Sequence, residues 1–227
     1  MGGANNPGST ERRAAALWAV LCVAFSASDA ALAAPAKPAA SAPVRIFPQQ
    51  MDSLPPAPSK VGNCLIKPRT QCPRANLERA PIPGAHLEHA NLSGANLSNA
   101  NLTDAVLNFA QLPGANLQYA SLQRASLQSA TVNSGKLQNA NMQRASLQGT
   151  NLANANLQGA NLMSANLIGA NLANANMKGT NLFGAKIQGA RLQFADFYAA
   201  TWIDGVVCQE GSLGFCKRPG PPPKKKK

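Results

Sequence analysis

The stretch Asn151–Asn176 reads NLANANLQGANLMSANLIGANLANAN, with a leucine at every fifth place, alanine two places before it in most units and asparagine between. A period of five fits neither regular element. On an α-helix successive leucines rotate by about 140°, which scatters them around the axis and leaves no stripe to face a core. In a straight strand an odd spacing alternates faces, so half the leucines point at water. A chain that turns a corner every five residues buries all of them, because each side then presents one large and one small residue inward. Stacking such turns pairs backbone with backbone about 4.8 Å apart. Each buried leucine contributes roughly 1.5–3 kcal/mol before chain entropy is counted. The period predicts an all-β solenoid.

The register holds from Ala75 to Asp204, 26 consecutive pentapeptides without an insertion. The central residue is Leu in 19 of them, and Ile82, Val132, Met142, Met177, Ile187, Phe197 and Trp202 fill the rest. Two places earlier stands Ala in 23 units, with Gly135, Thr150 and Thr180 as exceptions, and Asn lies between in 13. Composition agrees: 45% of the chain is hydrophobic but only 5% aromatic and 13% charged, as an Ala/Leu core built repetitively requires.

The unit A-[N/S]-L-x-x over Ala75–Asp204 resembles the pentapeptide-repeat family. That resemblance implies a right-handed quadrilateral parallel β-helix with four pentapeptides per coil, so that residues twenty apart stack. On that basis 26 units make 6.5 coils and a rod about 31 Å long. The core ladders are then Leu97, Leu117, Leu137 and Leu157 on one side and Leu102, Leu122, Leu162 and Leu182 on the next. Outward columns follow as well. Gln118, Gln138 and Gln158 align, where stacked amides can form ladders, although simply solvating and stiffening the middle coils is the favoured reading. Met163, Phe183 and Ile203 align, with Ile168 on the adjacent side, as an apolar patch suited to partner docking or a homodimer unless the C-terminal loop covers it. Asparagine before each leucine suits corner geometry and bonds to nearby backbone. Phe194, Phe197, Tyr198 and Trp202 crowd the last repeats, where bulk can plug the bore.

Outside the repeats, Arg12 and Arg13 precede the apolar run Ala14–Ala27, and Ala31-Leu32-Ala33 provides an A-x-A site. Residues 1–33 read as a signal peptide, which places the mature protein in the periplasm or outside the cell. Residues 34–63 hold seven prolines and read as a linker. Cleavage would remove Cys22 and leave Cys64, Cys72, Cys208 and Cys216, an even set that in an exported chain reads as disulfides. Three pairings exist on paper. Local pairing is favoured because the two pairs flank the repeat block, closing loops at 64–74 and 205–227. A zinc site would call for tighter C-x-x-C spacing.

Chemistry is hard to find in this chain. Its two histidines, His86 and His89, flank Glu88 in AHLEHA, too few ligands for a metal site. No paired carboxylates, nucleophile-and-base arrangement or phosphate loop appears. No catalytic residue, cofactor or small-molecule substrate is expected. The formal charge of +12 is uneven. Within Ala75–Asp204 seven Lys/Arg face five Asp/Glu, a net of +2, whereas Lys217, Arg218, Lys224, Lys225, Lys226 and Lys227 charge the tail. That tail suits an anionic envelope component, each basic residue contributing about 1 kcal/mol near an anionic surface. Arg124 and Arg144, one coil apart, make no nucleic-acid stripe. The expected function is an exported, non-enzymatic scaffold for a protein or envelope partner. The alternative that the resemblance brings is a cytoplasmic DNA mimic protecting gyrase, which calls for an acidic rod.

Overall fold

The computed structural model describes residues 59–220. The signal-peptide reading, most of the linker and Lys224 to Lys227 lie outside the described residues.

Every residue that precedes a central residue forms a parallel bridge to the residue twenty further on, from Gln71↔Asn91 to Asn181↔Thr201. Each coil is therefore four pentapeptides. The backbone explains the spacing. The Leu97 N–H donates to the Asn116 carbonyl (2.7 Å), and the Asn116 N–H donates to the Ala95 carbonyl (2.9 Å). Within a pentapeptide the Ala100 N–H returns to the Leu97 carbonyl (3.1 Å), closing a four-residue turn. The third residue of that turn takes positive φ in every unit up to Ala199, as at Asn99 (58°) and Gly114 (64°). Glycine and asparagine are frequent there because they tolerate the left-handed region.

Central residues and the alanines two places earlier are buried along the rod, including all eight leucines assigned above to the core ladders. The exceptions to alanine have local causes. A Cβ on Gly135 would lie 2.8 Å from the Val132 carbonyl and 2.9 Å from Val132 Cγ1, so the branched valine beside it leaves no room for a methyl group. Thr150 and Thr180 are buried, but each hydroxyl donates to a carbonyl, Leu127 and Met177 respectively, both at 2.7 Å. Their polarity is therefore satisfied.

At the N-terminal end β1 (Lys60–Val61) pairs antiparallel with β2 (Cys64–Leu65). Residues 60–63 thus belong to a hairpin, whereas composition alone assigned them to the linker. The regular bridging also starts earlier than Ala75. Thr70 and Cys72 occupy the small and large inward places and are buried. Proline and charge in this segment hide its register from a search for Ala and Leu. Cys72 bonds to Cys64, and Cys208 bonds to Cys216. Of the four late aromatics only Phe197 is fully buried, with Trp202 packed edge-on against it at 5.0 Å. Phe194 and Tyr198 are exposed because they fall at the two outward places of their pentapeptides.

Truncating a central residue tests this core. Leu117→Ala is expected to destabilise the protein by about 2–5 kcal/mol in a denaturant melt. Gln118→Ala, one place along, should shift stability by less than about 0.5 kcal/mol. Equal effects at the two positions would refute the inward–outward assignment.

Candidate interaction surfaces

Lateral amide bonding stabilises the rod, but through asparagine. Asn116 Nδ2 donates to Asn96 Oδ1 (3.1 Å), and Asn116 Oδ1 accepts from the Gln118 N–H (3.2 Å). Asn176 and Asn156 repeat the pattern at 3.1 Å. Gln118, Gln138 and Gln158 form no ladder of their own, and Gln138 Oε1 is buried with no hydrogen-bond partner among the described residues. The reason is geometric: the asparagine oxygen is anchored by the backbone N–H two residues on, which aims the amide along the stack. Glutamine, one methylene longer and at the turn, has no such anchor. The glutamines instead line a groove of about 570 Å³ that runs from Tyr119 past Gly159 to Tyr198.

The apolar column is only partly open. Phe183 is 51% exposed, while Met163, Ile168 and Ile203 are half-buried, and Ile203 packs against the core. The chain after Asp204 lies over this column, with Gly205 close to the Phe183 ring.

Three exposed aromatics were missed by the column argument: Phe109 (53% exposed), Tyr119 (59%) and Phe194 (74%). All three occupy the positive-φ place of the turn, at 58–59°. A bulky side chain there strains the backbone and, being exposed, recovers little by burial. The signal was available in sequence, since each lies two places after a central residue where glycine or asparagine is usual.

The histidines are not brought together. His86 Nδ1 lies 2.9 Å from Glu88 Oε1, whereas His89 stacks on Phe109 at 5.0 Å, one coil away. Burial pushes the Glu88 carboxyl up, but the His86 hydrogen bond and the nearby backbone and histidines outweigh it and leave it lowered. Charges pair across coils instead. Arg124 grips Asp104 through two hydrogen bonds of 2.7 and 2.5 Å, twenty residues apart. Lys178 reaches Asp196 (3.3 Å), and Arg218 of the tail reaches Asp204 (2.6 Å). Lys217 is exposed beside it. Among the described residues no cluster of three His, Cys, Asp or Glu could hold a metal.

The model of the family described as pentapeptide repeats matches residues 70–197 in overlapping segments, over half of the chain. The chain is a member of the pentapeptide-repeat family. Among solved structures it is similar to HetL, a pentapeptide repeat protein involved in heterocyst differentiation regulation in the cyanobacterium Nostoc. The identity is 28% over 61% of this chain and 81% of that one, with a TM-score of 0.37. It is similar to a pentapeptide repeat protein of the Arabidopsis thaliana thylakoid lumen at 28% identity, over 50% and 69% of the two chains (TM-score 0.25). QnrB1, a plasmid-mediated fluoroquinolone resistance protein, shares 17% identity over 60% and 79% (TM-score 0.34). No curated protein sequence matches the chain.

The Asp104–Arg124 pair sets a pH dependence. The Arg124 hydrogen bond is the largest influence on Asp104 and, with the arginine's charge, holds its carboxyl below the ordinary value against the opposing effect of burial. A carboxyl lowered in the folded state adds stability above its unfolded value, and that contribution is lost as pH falls through the folded value. Asp104→Asn is therefore expected to melt slightly below the parent at pH 7, the gap closing below about pH 4. A gap of constant size from pH 7 to pH 2 would show that the pair contributes no charge-dependent stability.

Proposed function

We propose that the stacked coils form the right-handed quadrilateral β-helix of the family, that the two disulfide loops close its ends, and that the protein is a non-catalytic scaffold whose outer surface engages a protein partner. The observation that carries this reading is the set of exposed aromatics at positive φ. Phe109, Tyr119 and Phe194 stand where glycine or asparagine is usual and are more than half exposed, Phe109 stacking on His89 and the other two open. Contact with a partner would give such rings the burial that the free protein gives them only in part.

Two partner classes follow. The first is an exported scaffold in the periplasm or outside the cell, meeting a protein or an anionic envelope component. It is supported by the signal-like residues 1–33, by two disulfides and by the basic tail, including Lys217 and Arg218. The second is a cytoplasmic DNA mimic that protects a topoisomerase. Family company supports it, since QnrB1 is a fluoroquinolone resistance protein. The near-neutral rod supports the first, because mimicry of a polyanion calls for surface acids and the repeats carry a net +2.

Intact mass and N-terminal sequence of the non-reduced protein, recovered from an export-competent bacterium, separate the two. The exported form begins near Ala34 and is lighter by four protons than its reduced counterpart. A full-length chain with free thiols, together with restored gyrase supercoiling in the presence of a fluoroquinolone, would establish the second reading instead.

A further inference from the structure

The C-terminal end of the rod is half open, and the reason lies in one reversal of the chain. At Asp204–Gly205 the chain leaves the pentapeptide register. The Trp202 N–H donates to the Val206 carbonyl (2.7 Å), and the returning segment pairs antiparallel, Thr201 with Val207 and Asp196 with Leu213. Two of the four sides of the last coil are thereby covered. Had the chain kept its register, the next ten residues would instead have lain over Lys186 and Arg191.

Hydrogen bonding marks the open half. On a covered side the Leu182 N–H donates to the Thr201 carbonyl (2.8 Å), and the Gly184 N–H to the Ile203 carbonyl (2.9 Å). On the next two sides the corresponding N–H groups of Ile187, Gly189 and Leu192 find no acceptor among the described residues. The carbonyls of Ala185 and Ala190 likewise receive no donor there. Ile187 and Leu192, which should be core, are partly exposed, and a groove of about 590 Å³ opens between Leu192, Phe194 and Phe215, bounded by Gly214, which packs on the Leu192–Phe194 backbone. Lys186 and Arg191 flank this edge, exposed and, like Lys136 and Arg144 elsewhere on the rod, without an acidic partner among the described residues.

We propose that this half-edge docks an extended acidic segment of another protein, which adds to the last coil in parallel and completes it. Backbone pairing supplies the adhesion, as in other strand additions to an open edge. The register then dictates the recognised pattern. The residue over Lys186 should be acidic and the next one aliphatic, to fill the bore above Ile187. Five residues on, an acid over Arg191 and an aliphatic residue above Leu192 should follow, because opposite charges directly across a ladder attract. The chain's own candidates fit poorly. Residues 34–63 contain seven prolines and a single acid, Asp52, and the tail KRPGPPPKKKK is basic and holds no acid. A second copy would set Lys186 and Arg191 against the same cations.

The inference rests on the scaffold reading, but its test uses purified full-length protein and so succeeds or fails independently of compartment and of topoisomerase protection. The probe is a fluorescein-labelled decapeptide, Ala-Asp-Leu-Ser-Gly-Ala-Asp-Leu-Ser-Gly, followed by anisotropy. Saturable binding is expected. It should weaken at least tenfold when both peptide aspartates become lysine, and at least tenfold in the Lys186→Glu, Arg191→Glu double variant, with Arg144→Glu unchanged. N-methylation of the two aspartate nitrogens, which would donate to the Ala185 and Ala190 carbonyls, should abolish it. Binding that survives N-methylation would overturn the strand-addition geometry. Absence of binding would overturn the proposal, and sedimentation as a dimer in that case would assign the edge to a second copy.

Discussion

A backbone hydrogen bond between residues nineteen places apart, such as Leu97 N–H to Asn116 O, is what the rest of this protein depends on. One coil of twenty residues cannot bury its own leucines or satisfy its own peptide groups. Only a neighbour above and below does both, so stability accrues by stacking. The bore is narrow enough that its side chains are chosen in pairs. Alanine leaves room for leucine, and where Val132 takes more space beside the turn, its neighbour shrinks to Gly135. Asparagine adds a second ladder on the outside, because its oxygen is held by a backbone N–H and its nitrogen is left to reach the next coil.

The same repetition imposes a fixed cost at every corner, where one residue in five adopts positive φ. Glycine and asparagine keep that cost low. Positions that depart from them are informative, since a phenylalanine or tyrosine is less at ease there than glycine or asparagine. The surface of this protein is therefore legible through its deviations from the repeat. Charge follows the same logic, with Arg124 and Asp104 meeting across coils at the offset that the fold provides.

The two ends differ in kind. Near the N-terminal end Pro81 stands where an N–H would otherwise point off the rod, and the Lys60–Leu65 hairpin and the Cys64–Cys72 bond lie there too. Proline and a short hairpin both discourage further strand pairing. The C-terminal end is treated unevenly: the return after Asp204 covers two sides, and the other two keep free peptide groups beside Lys186 and Arg191. Stacked coils whose ends are protected to different degrees have a direction, and the proposed docking places its extended partner at the less protected end, beside the unpaired peptide groups.

Sequence alone determined the period, the inward leucines and alanines and the register over Ala75–Asp204; of the three cysteine pairings it favoured the local one, which the structure shows. These follow from spacing, and spacing survives without coordinates because burial in a stacked coil repeats identically at each turn. Local bonding between non-equivalent positions was less legible. The amide ladder open to Gln118, Gln138 and Gln158 runs instead through Asn96, Asn116 and their like, since which amide is anchored depends on a turn N–H that periodicity does not reveal. Cys72 taking the place of a leucine, Lys60 joining a hairpin and the open edge at Ile187 and Leu192 were decided only by the tertiary structure. Each depends on where the chain stops repeating, and beyond that point a periodic argument has nothing left to extrapolate.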